Sequence, residues 1–176
     1  MIFLSFWFYL AVFACLTAYY IVPVRFRWMM LLAGSLAVYH HFSGRGILFL
    51  GIDIAVGYAA GLLIQKMREK HSSPVCEKLC LAAGTAAVVL PLFVMKEGNF
   101  IRNHFLHLDS IAFWQIMGIA YFTLQTVGYM ADVYRGQVPA ERNPAKFALF
   151  LSFFPQIVQG PIGRYAQLQP QLLAQQ

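Results

Sequence analysis

The chain has 176 residues, of which 60% are hydrophobic and only 11% charged, with a formal net charge of +6. A soluble domain carries about 25% charged residues, so this composition excludes an ordinary water-soluble fold. It points to an all-α membrane protein with several transmembrane helices, and the positive charge does not mark a nucleic-acid partner, because the basic residues sit in gaps between apolar runs.

A bilayer-crossing helix needs about 20 apolar residues. Five such spans are read in chain order, at about 2–22, 28–42, 47–65, 79–95 and 110–131, followed by a broken segment at 147–165. Together they make one transmembrane domain over 1–176. The first span carries no Lys or Arg ahead of its apolar core, so it reads as an uncleaved helix and not as a signal peptide. Pro23 closes it, because proline cannot continue a helix interior. The stretch KMREKHSSPVCEK (66–78) reads as a loop, 96–109 as interfacial, and 132–146 as a second polar loop.

With five spans the gaps alternate between sides. One side collects Arg25, Arg27, Lys66, Arg68, Lys70, Lys78, Arg135, Arg142 and Lys146; the other holds only Arg45, Lys96 and Arg102. Basic residues favour the cytoplasmic side, so the N-terminus is expected outside the cytoplasm.

Polar groups inside these runs carry the remaining information. Asp53, about two turns into the third span, is read as a carboxylate near the membrane surface, within reach of Arg45 or water, with a proton or substrate contact as the alternative. Gly57 and Gly61, four apart, are a helix-packing signal without chemistry. Gln115, Thr123, Gln125 and Thr126 place hydrogen-bonding groups in the fifth span, where they are expected to face other helices or a wet cavity. Asp132 and Arg135 stand i, i+3 at its exit and form a candidate structural pair. No metal is expected. His104, His107 and Asp109 read as an interfacial loop, and Cys76 with Cys80 as ordinary thiols.

The stretch SFFPQIVQGPIGRY (152–165) breaks an apolar run with Pro155, Gly160 and Pro161. Non-helical backbone at membrane depth persists only when buried in protein or lining a wet cavity. A re-entrant element is therefore expected, with Gln156, Gln159 and Arg164 meeting carbonyls or a tunnel. A surface helix broken by its prolines is the alternative.

GIAYFTLQTVGYMADVYRG (118–136) and FALFLSFFPQIVQGPIGRY (147–165) together resemble the membrane-bound O-acyltransferase family, and 19–39 is similar to the start of its bacterial, alginate O-acetyltransferase-like branch. Ala120 and Tyr121 depart from the family wording, and no proline stands at Ile116 or Met117. The resemblance covers the chain, but the chain covers only the first part of the family's length.

That resemblance implies a ring of transmembrane helices around a tunnel in the bacterial inner membrane. A cytoplasmic acyl donor such as acetyl-CoA serves as substrate, with no bound cofactor, and an extracytoplasmic glycan hydroxyl is the acceptor. Partner acetylation proteins are possible, beside membrane lipid. Tyr134, Arg135, Gln156, Gly160, Pro161 and Arg164 are the candidate tunnel- or substrate-lining residues. The family's catalytic histidine has no counterpart among His40, His41, His71, His104 and His107, so the chain alone is expected to be inactive. Transfer of D-alanyl groups to teichoic acid, and a non-catalytic scaffold or remnant, are the alternative readings. A transporter built on broken helices would need an inverted repeat, and none is seen.

Overall fold

The computed structural model describes residues 13, 17, 21–23, 26–44, 46–70, 73–101, 118–153, 163 and 165–167, with backbone alone for 42 and 95–101. All regular elements among the described residues are helical: α1 (Arg27–Ser43), α2 (Gly46–Glu69), α3 (Pro74–Ile101), α4 (Ile119–Tyr134) and α5 (Pro144–Ser152). The expected first span, apart from a few residues, and the start of the fifth at 110–117 lie outside the described residues.

Each boundary has a local cause. A turn precedes α1, where the Phe26 amide donates to the Pro23 carbonyl at 2.9 Å. Gly44, at φ 51°, ends it and donates back to His40. Ser73 and Pro74 start α3: the Ser73 hydroxyl accepts from the Val75 amide at 3.4 Å, and proline takes the first turn, where a missing N–H costs nothing. The expected loop at 66–78 is thus shorter than the sequence suggested. Its two ends belong to α2 and α3, and α3 begins at Pro74 instead of near Leu79. The polar side chains there decorate helix ends and do not unwind them. The same asymmetry starts α5 at Pro144, with Asn143 accepting from the Ala145 amide at 3.0 Å.

The middle of the assembly is α2, which touches every other described helix. Its 24 residues reach about 36 Å, enough to cross a bilayer. α3 holds a second apolar stretch long enough to cross, the 21 residues Pro74–Val94. The small-residue spacing does what the sequence led one to expect. A Cβ on Gly57 would stand 2.5 Å from Thr126 Cγ2 and 3.0 Å from the Phe147 ring; one on Gly61 would stand 2.8 Å from the Tyr129 ring. A Cβ on Gly84 of α3 would stand 3.0 Å from Met130 Sδ and 3.1 Å from Ala60 Cβ, a looser fit.

The core beside this contact is aromatic. Tyr129 packs on Phe147 with ring centroids 4.6 Å apart and on Tyr165 at 5.0 Å; Tyr165 meets Phe150 edge-on at 4.9 Å. These offset and edge-on geometries are the favoured ones for ring pairs. By contrast, α3 leaves Leu79, Leu90, Phe93 and Val94 exposed.

Candidate functional site: a polar seam and the loop that closes it

The polar residues of α4 all turn inward. Thr123, Gln125 and Thr126 are buried, as is Asp53 of α2. The Thr123 hydroxyl donates to Asp53 Oδ2 at 2.9 Å. Asp53 is therefore an interhelical acceptor and not a surface carboxylate. Its sequence position fixes its depth along α2 but not the direction in which it faces. Thr126 spends its hydroxyl on the Phe122 carbonyl of its own helix at 2.8 Å. Gln125 donates to the Phe150 carbonyl of α5 at 3.4 Å, while its Oε1 and the buried Ser152 hydroxyl find no hydrogen-bond partner among the described residues.

At the C-terminal end of α4 the chain turns sharply. Gly136 adopts φ 72°, a conformation glycine tolerates best, and the Gln137 amide donates back to the Asp132 carbonyl at 2.9 Å. The guanidinium of Arg68, reaching from the end of α2, donates to the Tyr134 carbonyl and to the Val133 carbonyl, which also accepts from the Gly136 amide at 3.0 Å. A cation beside a helix C-terminus is favoured by the helix dipole. It also shows that α2 and α4 end together, so the gaps after the third and fifth spans share one end of the bundle, as the alternation of sides requires.

The loop that follows, 135–143, is tied down by side chains distant in sequence. Gln65 accepts from the Ala140 amide, and the Tyr58 hydroxyl donates to the Arg142 carbonyl at 2.8 Å. Glu141 is the hub. Its amide donates to the Tyr129 hydroxyl at 2.9 Å, its Oε1 accepts from the Asn143 amide at 2.9 Å, and its Oε2 accepts from the Tyr165 hydroxyl. Burial, with the Glu141 carboxylate beside it, pushes the Tyr165 hydroxyl well above the ordinary phenol range, so it stays protonated and donates. One carboxylate thus fixes the end of the broken stretch to the loop after α4.

Of the candidate site residues, Tyr134 is half-buried and Arg135 exposed at this turn. Asp132 is buried one turn back while Arg135 faces outward; the cation that meets the helix end is Arg68. Gln156, Gly160, Pro161 and Arg164 lie outside the described residues, as do His104 and His107. The residues that sequence reasoning missed are Tyr58, Gln65, Arg68, Tyr129, Glu141 and Tyr165. Only a weak signal was available for them: the Asn143–Pro144 pair, which announces a capped helix and hence an ordered loop before it.

A buried polar seam, a close-packed glycine face and an outer helix that exposes leucine and phenylalanine mark a membrane-embedded helical protein. Comparison with known proteins sharpens that class. The chain is 31% identical to "Probable alginate O-acetylase AlgI" of Azotobacter vinelandii over 163 residues, covering 85% of this chain and 31% of that protein. It is 27% identical over 167 residues to the Pseudomonas aeruginosa protein of the same name, covering 85% and 30%. It is 26% identical over 173 residues to the "Peptidoglycan O-acetyltransferase" of Helicobacter pylori, covering 82% and 32%. The chain spans about a third of the length of these curated relatives. No family model and no solved structure matches it. The relatives bear out the resemblance to the O-acetyltransferase branch of the membrane-bound O-acyltransferases.

Proposed function

We propose that residues 1–176 form the N-terminal part of a bacterial inner-membrane O-acyltransferase. It transfers acetyl groups from a cytoplasmic donor such as acetyl-CoA to hydroxyls of an extracytoplasmic polysaccharide or cell-envelope glycan. The observation that carries this reading is the similarity, over 85% of the chain, to a protein named as an alginate O-acetylase. The N-terminus lies outside the cytoplasm, and the helices cross the membrane repeatedly.

The geometry gives these residues a scaffolding part in that reaction. Acyl transfer from a thioester to a hydroxyl requires a general base and a site closed to competing water. Under this reading the base belongs to a part of the enzyme beyond this third of the relatives' length. The residues here build the wall. α2 and α4 pack closely across Gly57 and Gly61, and Glu141 fixes Tyr165. By the family resemblance, Gln156, Gly160, Pro161 and Arg164 are the residues assigned to the acyl path. Tyr134 and Arg135 stand at the cytoplasmic end of α4, where a phosphate-bearing donor would enter.

The test uses membranes from cells expressing either residues 1–176 or a parent of the relatives' length, supplied with labelled acetyl-CoA. The parent labels the glycan and the short chain labels none. Arg164→Ala in the parent lowers labelling while the protein stays in the membrane. Turnover by the short chain would overturn the division of labour, and an unlabelled glycan with the parent would overturn the reaction.

A further inference from the structure

Two arginines stand where α2 and α4 end together, and they are used differently. Arg135 is exposed, and its side chain takes no hydrogen bond among the described residues. Arg68 is exposed too, yet its fork is committed: Nη1 donates to the Val133 carbonyl at 3.2 Å and Nη2 to the Tyr134 carbonyl. A guanidinium presents its donors in a rigid plane, whereas a lysine ammonium is a compact point charge on a flexible stem.

The chain leaves space for that fork at one position. Gly136 has φ 72°, which already favours glycine. Space gives a second reason: a Cβ there would stand 2.5 Å from Arg68 Nη1 and 3.3 Å from its Cζ. A side chain at 136 would push the guanidinium away from the carbonyls, because the tip of the arginine is the part able to yield. Gly136 is thus the socket of Arg68.

What this contact holds is the backbone around Arg135. The Arg135 amide donates to the Ala131 carbonyl at 2.9 Å, the Tyr134 carbonyl ahead of it accepts from Arg68, and the Gly136 amide behind it donates to Val133 at 3.0 Å. A ligand that binds from a turn already ordered does not have to order it, and that saving appears as affinity. We propose that Arg68 is a positioning residue for the acyl donor: seated on Gly136 and bonded to the Tyr134 carbonyl, it holds the turn from which Tyr134 and Arg135 meet the donor's phosphates. The proposal rests on the proposed function, which places donor entry at this end.

The experiment measures glycan labelling against acetyl-CoA concentration in a parent of the relatives' length, below the melting temperature of every variant. Arg68→Ala raises KM for acetyl-CoA about tenfold, with kcat within about twofold, the worth of one hydrogen bond to a charged group. Arg68→Lys keeps the charge but loses the fork, and raises KM about threefold. Gly136→Ala raises KM at least as much as Arg68→Ala, and the double variant does no more than Gly136→Ala alone, since either change breaks the same contact. Thermal melts of the same variants follow the same pattern. Lys70→Gln, which removes one exposed charge at the same end of α2, leaves KM unchanged. Lowered melting with an unchanged KM would make Arg68 a helix cap alone and overturn the positioning role. A KM raised by Arg68→Ala but not by Gly136→Ala would make Arg68 a direct donor contact. A multiplied effect in the double variant, or an equal rise with Lys70→Gln, would overturn the proposal as well. A wild-type parent that leaves the glycan unlabelled sinks the reaction itself, whereas labelling with an unmoved KM sinks only this role.

Discussion

α2 and α3 are both apolar and both long enough to cross a membrane, yet they live in different surroundings. A third of the α2 span, 33%, is buried inside the protein, against 11% of the α3 span. What α2 buries is mostly small or polar, Gly46, Asp53, Gly57, Ala60 and Gly61, beside the apolar Leu50 and Ile64. What α3 exposes is large and apolar: Leu79, Leu90 and Phe93. In a membrane this inversion is expected. Lipid solvates leucine as well as a protein core does, so helices associate through close backbone approach and interior hydrogen bonds. Hydropathy alone treats the two helices alike, while small and polar residues distinguish them.

The comparison is broken most severely at the glycine face. Gly57→Leu forces a side chain into Thr126 and Phe147, which leaves no room for it. Overpacking of this kind costs about 3 kcal/mol, and the detergent-solubilised protein should melt well below the wild type. A wild-type melting curve would show that α2 and α4 do not meet there.

Next in size is the loop hub. Glu141→Ala strips the Tyr165 hydroxyl and the Asn143 amide of their acceptor. Loss of hydrogen bonds to a charged group costs about 2 kcal/mol. Tyr165→Phe costs less, about 1 kcal/mol, and the double variant is less destabilised than the sum, because both changes remove one shared bond. Strict additivity would show that the two residues are independent.

Within the seam, Thr123→Val removes the hydroxyl that donates to the buried Asp53 carboxylate and costs about 1–3 kcal/mol. Asp53→Asn relieves part of that cost in the double variant, since a neutral amide needs less solvation than a carboxylate. Thermal melts of the three variants supply the cycle.

The smallest effect belongs to the outer face. Leu90→Ala on α3 should shift stability within about 0.5 kcal/mol. A cysteine placed at Leu90 resists a water-soluble maleimide, whereas the exposed native Cys76 at the helix start reacts. Equal labelling of both would place the α3 face in water.

Much of this architecture could be read from residue order. The apolar runs located α1 to α4, the Gly57 and Gly61 spacing announced a contact, and Thr123, Gln125 and Thr126 announced an inward face. Helix ends were harder, because Lys66, Arg68 and Lys78 look like loop residues when counted by polarity alone. Pro74 and Asn143 were the truer boundary signals. The facing of Asp53 was misjudged because periodicity gives a direction only relative to a partner helix not yet placed. Glu141 and its tyrosines were unreadable for the same reason: Tyr58 and Arg142 are 84 positions apart in sequence, and only folding brings them together.

Acetyl transfer to an envelope glycan is the central proposal for the enzyme to which these residues belong. The most direct measurement is the ester-linked acetyl content of purified extracytoplasmic polysaccharide and peptidoglycan from cells with the gene and from cells in which it is deleted. Deletion should remove ester-linked acetate from one of these polymers, and the restored gene should return it. Equal acetate in both strains, on every polymer, would contradict the assignment.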